Sequence, residues 1–430
     1  MRVILTGLGS AGDVLPAVGV GRQLAERGHE VVLIASDHFR PLAEQSNLGF
    51  VGLGTDADYR RVIQDPALFD ARRGTQVVLR QTLQWLETVY AAVQRCIVPG
   101  HTVVGAHVLD FASRMLQERG EAPVATLLLS PTLLRSQYQV PTLRGTRDYS
   151  RWPRWTKRLF WRAVDRLVID PMVLPDLNRM RARHGLGAIR RPFDAWILSP
   201  QLTIGLFPNW FAPPQPDWPV QLRLTSFPLF DAAEPMPAEL DEFLAAGSPP
   251  VVATFGTAQS HAAAQFDAAV QACQRLGRRG VLLSQFGQVP GSLPPGIIHV
   301  PFAPLTRLLP RSAALVHHGG IGTTAACLSA GVPQLVLPLS HDQPDNGMRM
   351  RRLGVGDVLV TGNRTSVSTR SQQLASRLHA LLNTDVVARR CAAFAQRLRL
   401  VDGIGQTCDL LESLQPQAHG ASAPAPAPSD

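Results

Sequence analysis

Lysine is nearly missing from this sequence. Of its 42 basic residues only Lys157 is lysine, so the formal charge of +9 is carried by arginine. Alanine and proline are abundant, and this bias reflects coding composition as much as function. No basic run is interleaved with aromatics in a nucleic-acid-binding pattern, which leaves an anionic cofactor or a membrane surface as the simpler use of the charge. Cysteine is scarce as well. Cys96, Cys273, Cys327, Cys391 and Cys408 are scattered and odd in number, which excludes a disulfide framework and metal-ligand spacing. They read as reduced packing residues of a cytoplasmic protein. Long apolar runs are missing too: no stretch can span a bilayer, and Met1 and Arg2 lead into strand residues with no signal-peptide core. The expected location is the cytoplasm, at most on the inner face of the membrane. No internal repeat stands out beyond a shared texture of the two halves.

What is present is an α/β pattern. A chain of 430 residues, 45% hydrophobic and 17% charged, can build two or three domains with their own cores. Strand residues 2–6, a glycine loop, a helix over 15–27, Gly28 as a stop and a strand over 31–35 predict a βαβ unit and a parallel sheet. "GHTVVGAHV" and "PVATLLLS" predict two further buried strands around the helix "DFASRMLQERG". Residues 209–231, "NWFAPPQPDWPVQLRLTSFPLFD", are too rich in proline and aromatics for a regular helix or central strand and suit a connection between domains. A second α/β series follows in "PPVVATFGT", "GVLLSQFG", "IIHVPFAP", "AALVHHGG" and "PQLVLPLS". The fold expected is two doubly wound domains facing across a cleft: residues 1–208, a linker 209–235, residues 236–414 and a disordered low-complexity tail 415–430.

The densest chemistry lies in residues 314–346, "ALVHHGGIGTTAACLSAGVPQLVLPLSHDQPDN". An apolar strand ends in His317, His318, Gly319, Gly320, Ile321, Gly322 and Thr323 and passes into a helix. Glycines admit close approach of a ligand, and free N–H groups at a helix start favour an anion. A tight turn with structural histidines is the alternative. Asp342 and Gln343, at the end of the next strand, suit a ligand rich in hydroxyls, or act as helix caps. At the amino end, Gly7, Gly9 and Gly12 have the spacing of a dinucleotide-binding turn, but Asp13 would put a negative charge beside a pyrophosphate, and Asp37 lies too far on to be the usual ribose ligand.

"HHGGIGT" with "GVPQLVLPLSHDQPDN" resembles the donor-binding signature of the GT-B glycosyltransferases of the UDP-glycosyltransferase superfamily, and "GSAGDVLP" resembles the opening of its bacterial and sterol-type members. Through "FPNWFAPPQPDWP", "SFPLFD" and "LSPTLL" the chain is most similar to the rhamnosyltransferase chain of bacterial rhamnolipid biosynthesis. The resemblance implies a GT-B fold of two Rossmann-like domains and an inverting, metal-independent sugar transfer with no cofactor beyond a nucleotide-sugar cosubstrate, dTDP-L-rhamnose. It implies a hydrophobic lipid acceptor and an acceptor-synthesising partner enzyme. It makes Asp13 the general base, presented by Gly9, Ser10 and Gly12. It puts His317 on the diphosphate with His318 contributing less, together with the loop Gly319, Gly320, Gly322 and Thr323. Thr257 approaches the phosphates, Phe302 and Ala303 meet the base, and Asp342 and Gln343 bind the sugar. Relatives that use a histidine base orient it with an aspartate on a later strand; here Gly105 and Ala106 stand there, with His107 or Asp110 as loose substitutes.

Residues 151–166 place Trp152, Trp155, Phe160 and Trp161 among Arg154, Lys157, Arg158 and Arg162. Such a helix suits an anionic lipid surface, a lid over an apolar acceptor, or ordinary packing on its own domain. The competing functions are a UDP-glucose-dependent transferase acting on a sterol, carotenoid or macrolide-like acceptor, an NAD- or FAD-dependent oxidoreductase, and a silent sugar-nucleotide-binding protein.

Overall fold

The computed structural model describes residues 1–70, 73–143, 149, 152–230, 235–256, 262–285, 289–362 and 365–414. Thr257 and the tail 415–430 lie outside the described residues, as do residue 151 and part of the linker. Among the described residues the strands form two parallel sheets. The first contains β1 (Arg2–Gly7), β2 (Glu30–Ser36), β3 (Gly49–Leu53), β4 (Thr102–His107), β5 (Val124–Leu128), β6 (Leu202–Gly205) and β7 (Leu222–Leu224), in the order β3-β2-β1-β4-β5-β6-β7. The second contains β8 (Val251–Thr254), β9 (Gly280–Leu283), β10 (Ile297–Val300), β11 (Ala314–His317), β12 (Gln334–Val336) and β13 (Gly356–Val358), in the order β10-β9-β8-β11-β12-β13.

Strands covered by helices on both faces must be apolar throughout, and β4 and β5 are buried at every position. In each sheet the chain builds outward in one direction and then crosses to the other side of its first strand. That reversal falls between β1 and β4 in the first sheet and between β8 and β11 in the second. Loops leaving the carboxyl ends of two such strands diverge and open a crevice, the usual ligand position in open α/β sheets.

Two features depart from the sequence expectation. The proline-rich stretch 209–235 contributes the edge strand β7 to the first sheet, and Trp210 within it packs on Phe394 at 4.7 Å. The last helix, Gly403–Glu412, does not stay with the second domain. It packs on the helix Ala11–Glu26, where Arg27 contacts both Asp409 and Glu412 at 2.7 Å and His29 contacts Glu412 at 2.8 Å. Cys408 and Leu411 are wholly buried in the first domain's core. The chain thus closes on the domain where it began, behind the helix that carries Asp13.

Candidate active site

The loop after β1 is built around one carboxylate. The helix begins at Ala11, so Asp13 lies in its first turn, where the helix dipole favours an anion. Asp13 Oδ2 accepts hydrogen bonds from the Ser10 N–H at 2.8 Å and the Ser10 hydroxyl at 3.0 Å. Gly9 has φ of 138°, and a Cβ there would fall 2.4 Å from Asp13 Oδ2, so only glycine fits. Gly12 meets nothing closer than ordinary contact, so the geometry does not require glycine there.

The partner of Asp13 comes from the neighbouring strand. His107 ends β4, and its Nε2 lies 3.6 Å from Asp13 Oδ1, an ion-pair distance rather than a full hydrogen bond. The Leu109 N–H donates to His107 Nδ1 at 3.3 Å, which leaves the ring proton on Nε2, toward the carboxylate. The His107 N–H donates to Thr6 Oγ1 at 2.9 Å, tying the end of β4 to the end of β1. Asp110 serves elsewhere, capping the helix Phe111–Glu118 by accepting from the Ser113 N–H at 2.9 Å. Burial works against ionisation of Asp13, but His107 and Ser10 outweigh it and hold its pKa below the usual carboxylate value. Of the two residues the sequence offers as loose substitutes, His107 is therefore the one in place.

Asp37, the ribose ligand of the dinucleotide alternative, is held by Arg40 at 2.6 Å. That loop is occupied by its own ion pair.

On the opposite side the β11 loop carries the histidine pair. His317 is wholly buried. Its Nε2 bonds Gln334 Oε1 at 3.0 Å and its Nδ1 accepts the Gly319 N–H at 3.2 Å. Burial, with His318 adding to it, pushes its pKa down to about 3, so it is a neutral structural ring with both nitrogens occupied. This corrects the expectation that His317 faces the diphosphate. His318 is the partly open one, and burial lowers its pKa to about 4 against the opposing influence of the Thr254 backbone. Its ring lies beneath Gly256 and Gly320, where added Cβ atoms would come within 2.9 Å and 2.6 Å of it. Gly319 has φ of 97°, and a Cβ there would strike Val336 and the Gln343 carbonyl. The helix Ile321–Ala330 then starts with Gly322 facing open space and Thr323 in its first turn.

Asp342 precedes the helix Gln343–Leu353. Asn346 Nδ2 donates to Asp342 Oδ2 at 2.8 Å and to the Gly319 carbonyl at 3.0 Å, joining the sugar-side and phosphate-side loops. The Asp342 pKa is raised, chiefly by burial, with the negative charge of Asp13 adding to it against Asn346 and His341. The two carboxylates of the two domains thus sense each other across the cleft. Gln343 Oε1 accepts from the Leu339 and Ser340 N–H groups at 2.8 and 3.1 Å, so its carbonyl shapes the loop. Phe302 is exposed at the end of β10, while Ala303 is buried and offers backbone only.

The cleft is bridged beside this site. Arg349 and Asp345 form a buried pair at 2.7 Å; Asp345 also accepts the Thr142 N–H at 2.9 Å, and Arg349 donates to the Phe211 carbonyl at 3.0 Å. His341 Nε2 contacts the Leu68 carbonyl at 2.8 Å. Trp152 and Trp155 are exposed, whereas Phe160 packs on Tyr149 and Trp161 on Arg135.

Two facing doubly wound domains with loops converging from both switch points define the GT-B fold. The glycosyltransferase of kitacinnamycin superposes with a TM-score of 0.72 at 19% identity, covering 96% of this chain and 99% of its own. Glycosyltransferase VinC, solved in complex with dTDP, has a TM-score of 0.66 at 20% identity, covering 96% and 99%. The glycosyltransferase family 28 N-terminal domain matches residues 3–123, and the erythromycin biosynthesis protein CIII-like C-terminal domain matches residues 281–396. O-mycaminosyltylonolide 6-deoxyallosyltransferase of Streptomyces fradiae is 31% identical over 438 residues, spanning 96% of this chain and 97% of its own. Sterol 3-beta-glucosyltransferase UGT80A2 of Arabidopsis thaliana is 26% identical over 455 residues, spanning all of this chain and 68% of its own. The chain belongs to the GT-B glycosyltransferases of the family 28 and erythromycin CIII-like group, and is a nucleotide-sugar glycosyltransferase.

Proposed function

We propose that the protein transfers L-rhamnose from dTDP-L-rhamnose to a 3-hydroxyalkanoyl lipid, with inversion at the anomeric carbon and with Asp13 as general base. The observation that carries the mechanism is the Asp13 carboxylate in the first turn of its helix, held through Oδ2 by Ser10 at 2.8 and 3.0 Å with His107 Nε2 3.6 Å from Oδ1. Asp13 takes the proton of the acceptor hydroxyl as that oxygen bonds the anomeric carbon. The bond from that carbon to the β-phosphate oxygen breaks, and its electron pair leaves with the diphosphate. The departing charge meets the free N–H groups of Ile321, Gly322 and Thr323, the positive end of the helix Ile321–Ala330, and His318. His318 takes the role first expected of His317, because His317 has no free ring nitrogen. Asp342, steadied by Asn346, accepts from sugar hydroxyls, and Phe302 stacks on the base.

The rhamnose and lipid assignment is supported by the resemblance carried by "FPNWFAPPQPDWP" and "LSPTLL". The names of the Streptomyces and Arabidopsis relatives favour a second reading, a macrolide-like or sterol acceptor. Mass spectrometry of products from mixed dTDP- and UDP-sugars with lipid, sterol and macrolactone acceptors decides between them. Rhamnosylated lipid is expected. Glucose transfer to sterol or macrolactone overturns the substrate assignment, and nucleotide binding without any transfer overturns the enzymatic one.

A further inference from the structure

The helical run that starts at Arg154 has an inner face the fold uses and an outer face that it does not. The run comprises Arg154–Val164, a π-turn Asp165–Ile169 and Asp170–Arg183. Inward, the buried Lys157 donates to the Tyr138 carbonyl at 3.2 Å, Trp161 lies 4.9 Å beneath the Arg135 guanidinium, and Asp165 pairs with Arg135. These contacts seat the helix on the loop after β5, whose far end, Thr142, donates to Asp345 of the other domain.

Outward, arginine recurs at every fourth position: Arg154, Arg158, Arg162 and Arg166, all exposed. Beside them the same turns expose apolar side chains, with Trp155 at 68%, Leu159 at 59%, Leu167 at 74% and Val168 at 44%. At 1.5 Å per residue the cationic line runs about 18 Å. Among the described residues Arg158, Arg162 and Arg166 pair with no carboxylate, and Arg154, which meets no carboxylate either, lies over the Tyr138 ring at 4.2 Å and donates to its hydroxyl at 3.2 Å. Other exposed arginines nearby do find acids, as Arg179 finds Asp176 and Arg191 finds Asp194. A tryptophan and two leucines left in water beside an unneutralised row of charge fit a surface that is anionic at its boundary and apolar beneath.

We propose that this outer face docks on an anionic lipid bilayer, with Trp155, Leu159 and Leu167 entering the interface and the arginines meeting lipid phosphates. A second copy of the chain would bring an identical row of arginines to the contact and is disfavoured by charge. The docking surface rests on these residues alone and does not depend on which sugar or acceptor the enzyme uses. It would bring the bilayer against the acceptor-side loop.

The test is cosedimentation of the full chain with vesicles of phosphatidylglycerol mixed with phosphatidylcholine, and of phosphatidylcholine alone. Wild type should bind the anionic vesicles at low salt, leave them at high salt and ignore the neutral ones. Each arginine at such a surface strengthens binding about five-fold, so R158Q/R162Q/R166Q should lose on the order of a hundred-fold. The control R352Q/R389Q/R399Q removes the same charge from exposed arginines of the second domain and should keep binding. W155A/L159A should weaken binding while keeping its release by salt. Wild type remaining in the supernatant at low salt overturns the proposal. So does an equal loss in the control, which would reflect net charge alone. Unchanged binding by W155A/L159A overturns it as well, since the face would then be a cationic patch for an acidic protein.

Discussion

Asp13→Asn isolates basicity from shape. The carboxylate makes two contacts with Ser10, at 2.8 and 3.0 Å through Oδ2, and one approach to His107 at 3.6 Å through Oδ1. Asparagine can keep its amide oxygen on Ser10, which places its NH2 toward the His107 Nε2–H and sets donor against donor. The cap survives, and even its full loss would cost only about 1 kcal/mol. Loss of the base is larger: about 10²–10⁴-fold in turnover, or roughly 2.7–5.5 kcal/mol of barrier. Initial rates, calorimetric titration with dTDP and thermal melting, run on one preparation, separate these terms. Turnover should collapse while dTDP affinity and melting temperature stay near wild type. A variant retaining more than about a tenth of wild-type turnover refutes the role of Asp13. Rate loss that follows lost dTDP affinity would instead make the glycine loop a nucleotide site. The pH profile supplies an independent check. Only ionised Asp13 accepts a proton, so activity rises with pH through its pKa, and His107 and Ser10 hold that pKa low. The acid limb should therefore lie below about pH 4, the ordinary aspartate value. His107→Asn removes one of the lowering influences, so the limb should move to higher pH as turnover falls.

The histidine pair should divide between binding and stability. His318→Ala should weaken dTDP binding about ten- to a hundred-fold, the worth of a hydrogen bond to a charged group, with little change in melting temperature. His317→Ala removes a buried ring and orphans Gln334 and the Gly319 N–H, so it should destabilise by on the order of 2–4 kcal/mol in denaturant titration. The reverse order of effects would return the phosphate contact to His317. Arg349→Met leaves Asp345 buried without its partner and frees the Phe211 carbonyl, which should cost about 3–5 kcal/mol. Asp345→Asn with Arg349→Met should recover part of that loss in the same measurement.

Much of the fold is legible from local pattern, because strands buried on both faces must be apolar runs and the loops at their ends must carry glycine. The βαβ opening, the second α/β series and the two glycine loops all follow from such patterns. Asp13 is legible as a carboxylate in a place where a pyrophosphate loop would not have one. Segment pairing is a different matter. His107 meets Asp13 only because β4 crosses over to lie against β1, with Leu5 beside Gly105, and no local feature of "VVGAHVLD" announces that neighbour. The linker strand β7 and the return of the helix Gly403–Glu412 to the first domain are likewise contacts between distant segments. The choice between His317 and His318 needed burial: adjacent side chains at a strand end point to opposite sides, and only packing shows which side is closed. The arginine row at positions 154, 158, 162 and 166 is written in the sequence, but its exposure was decided by which face the loop after β5 covers. Local residue order dictates the elements, the glycine turns and the chemical groups on offer. Which of those groups meet is settled by strand order and burial, and these are properties of the whole folded chain.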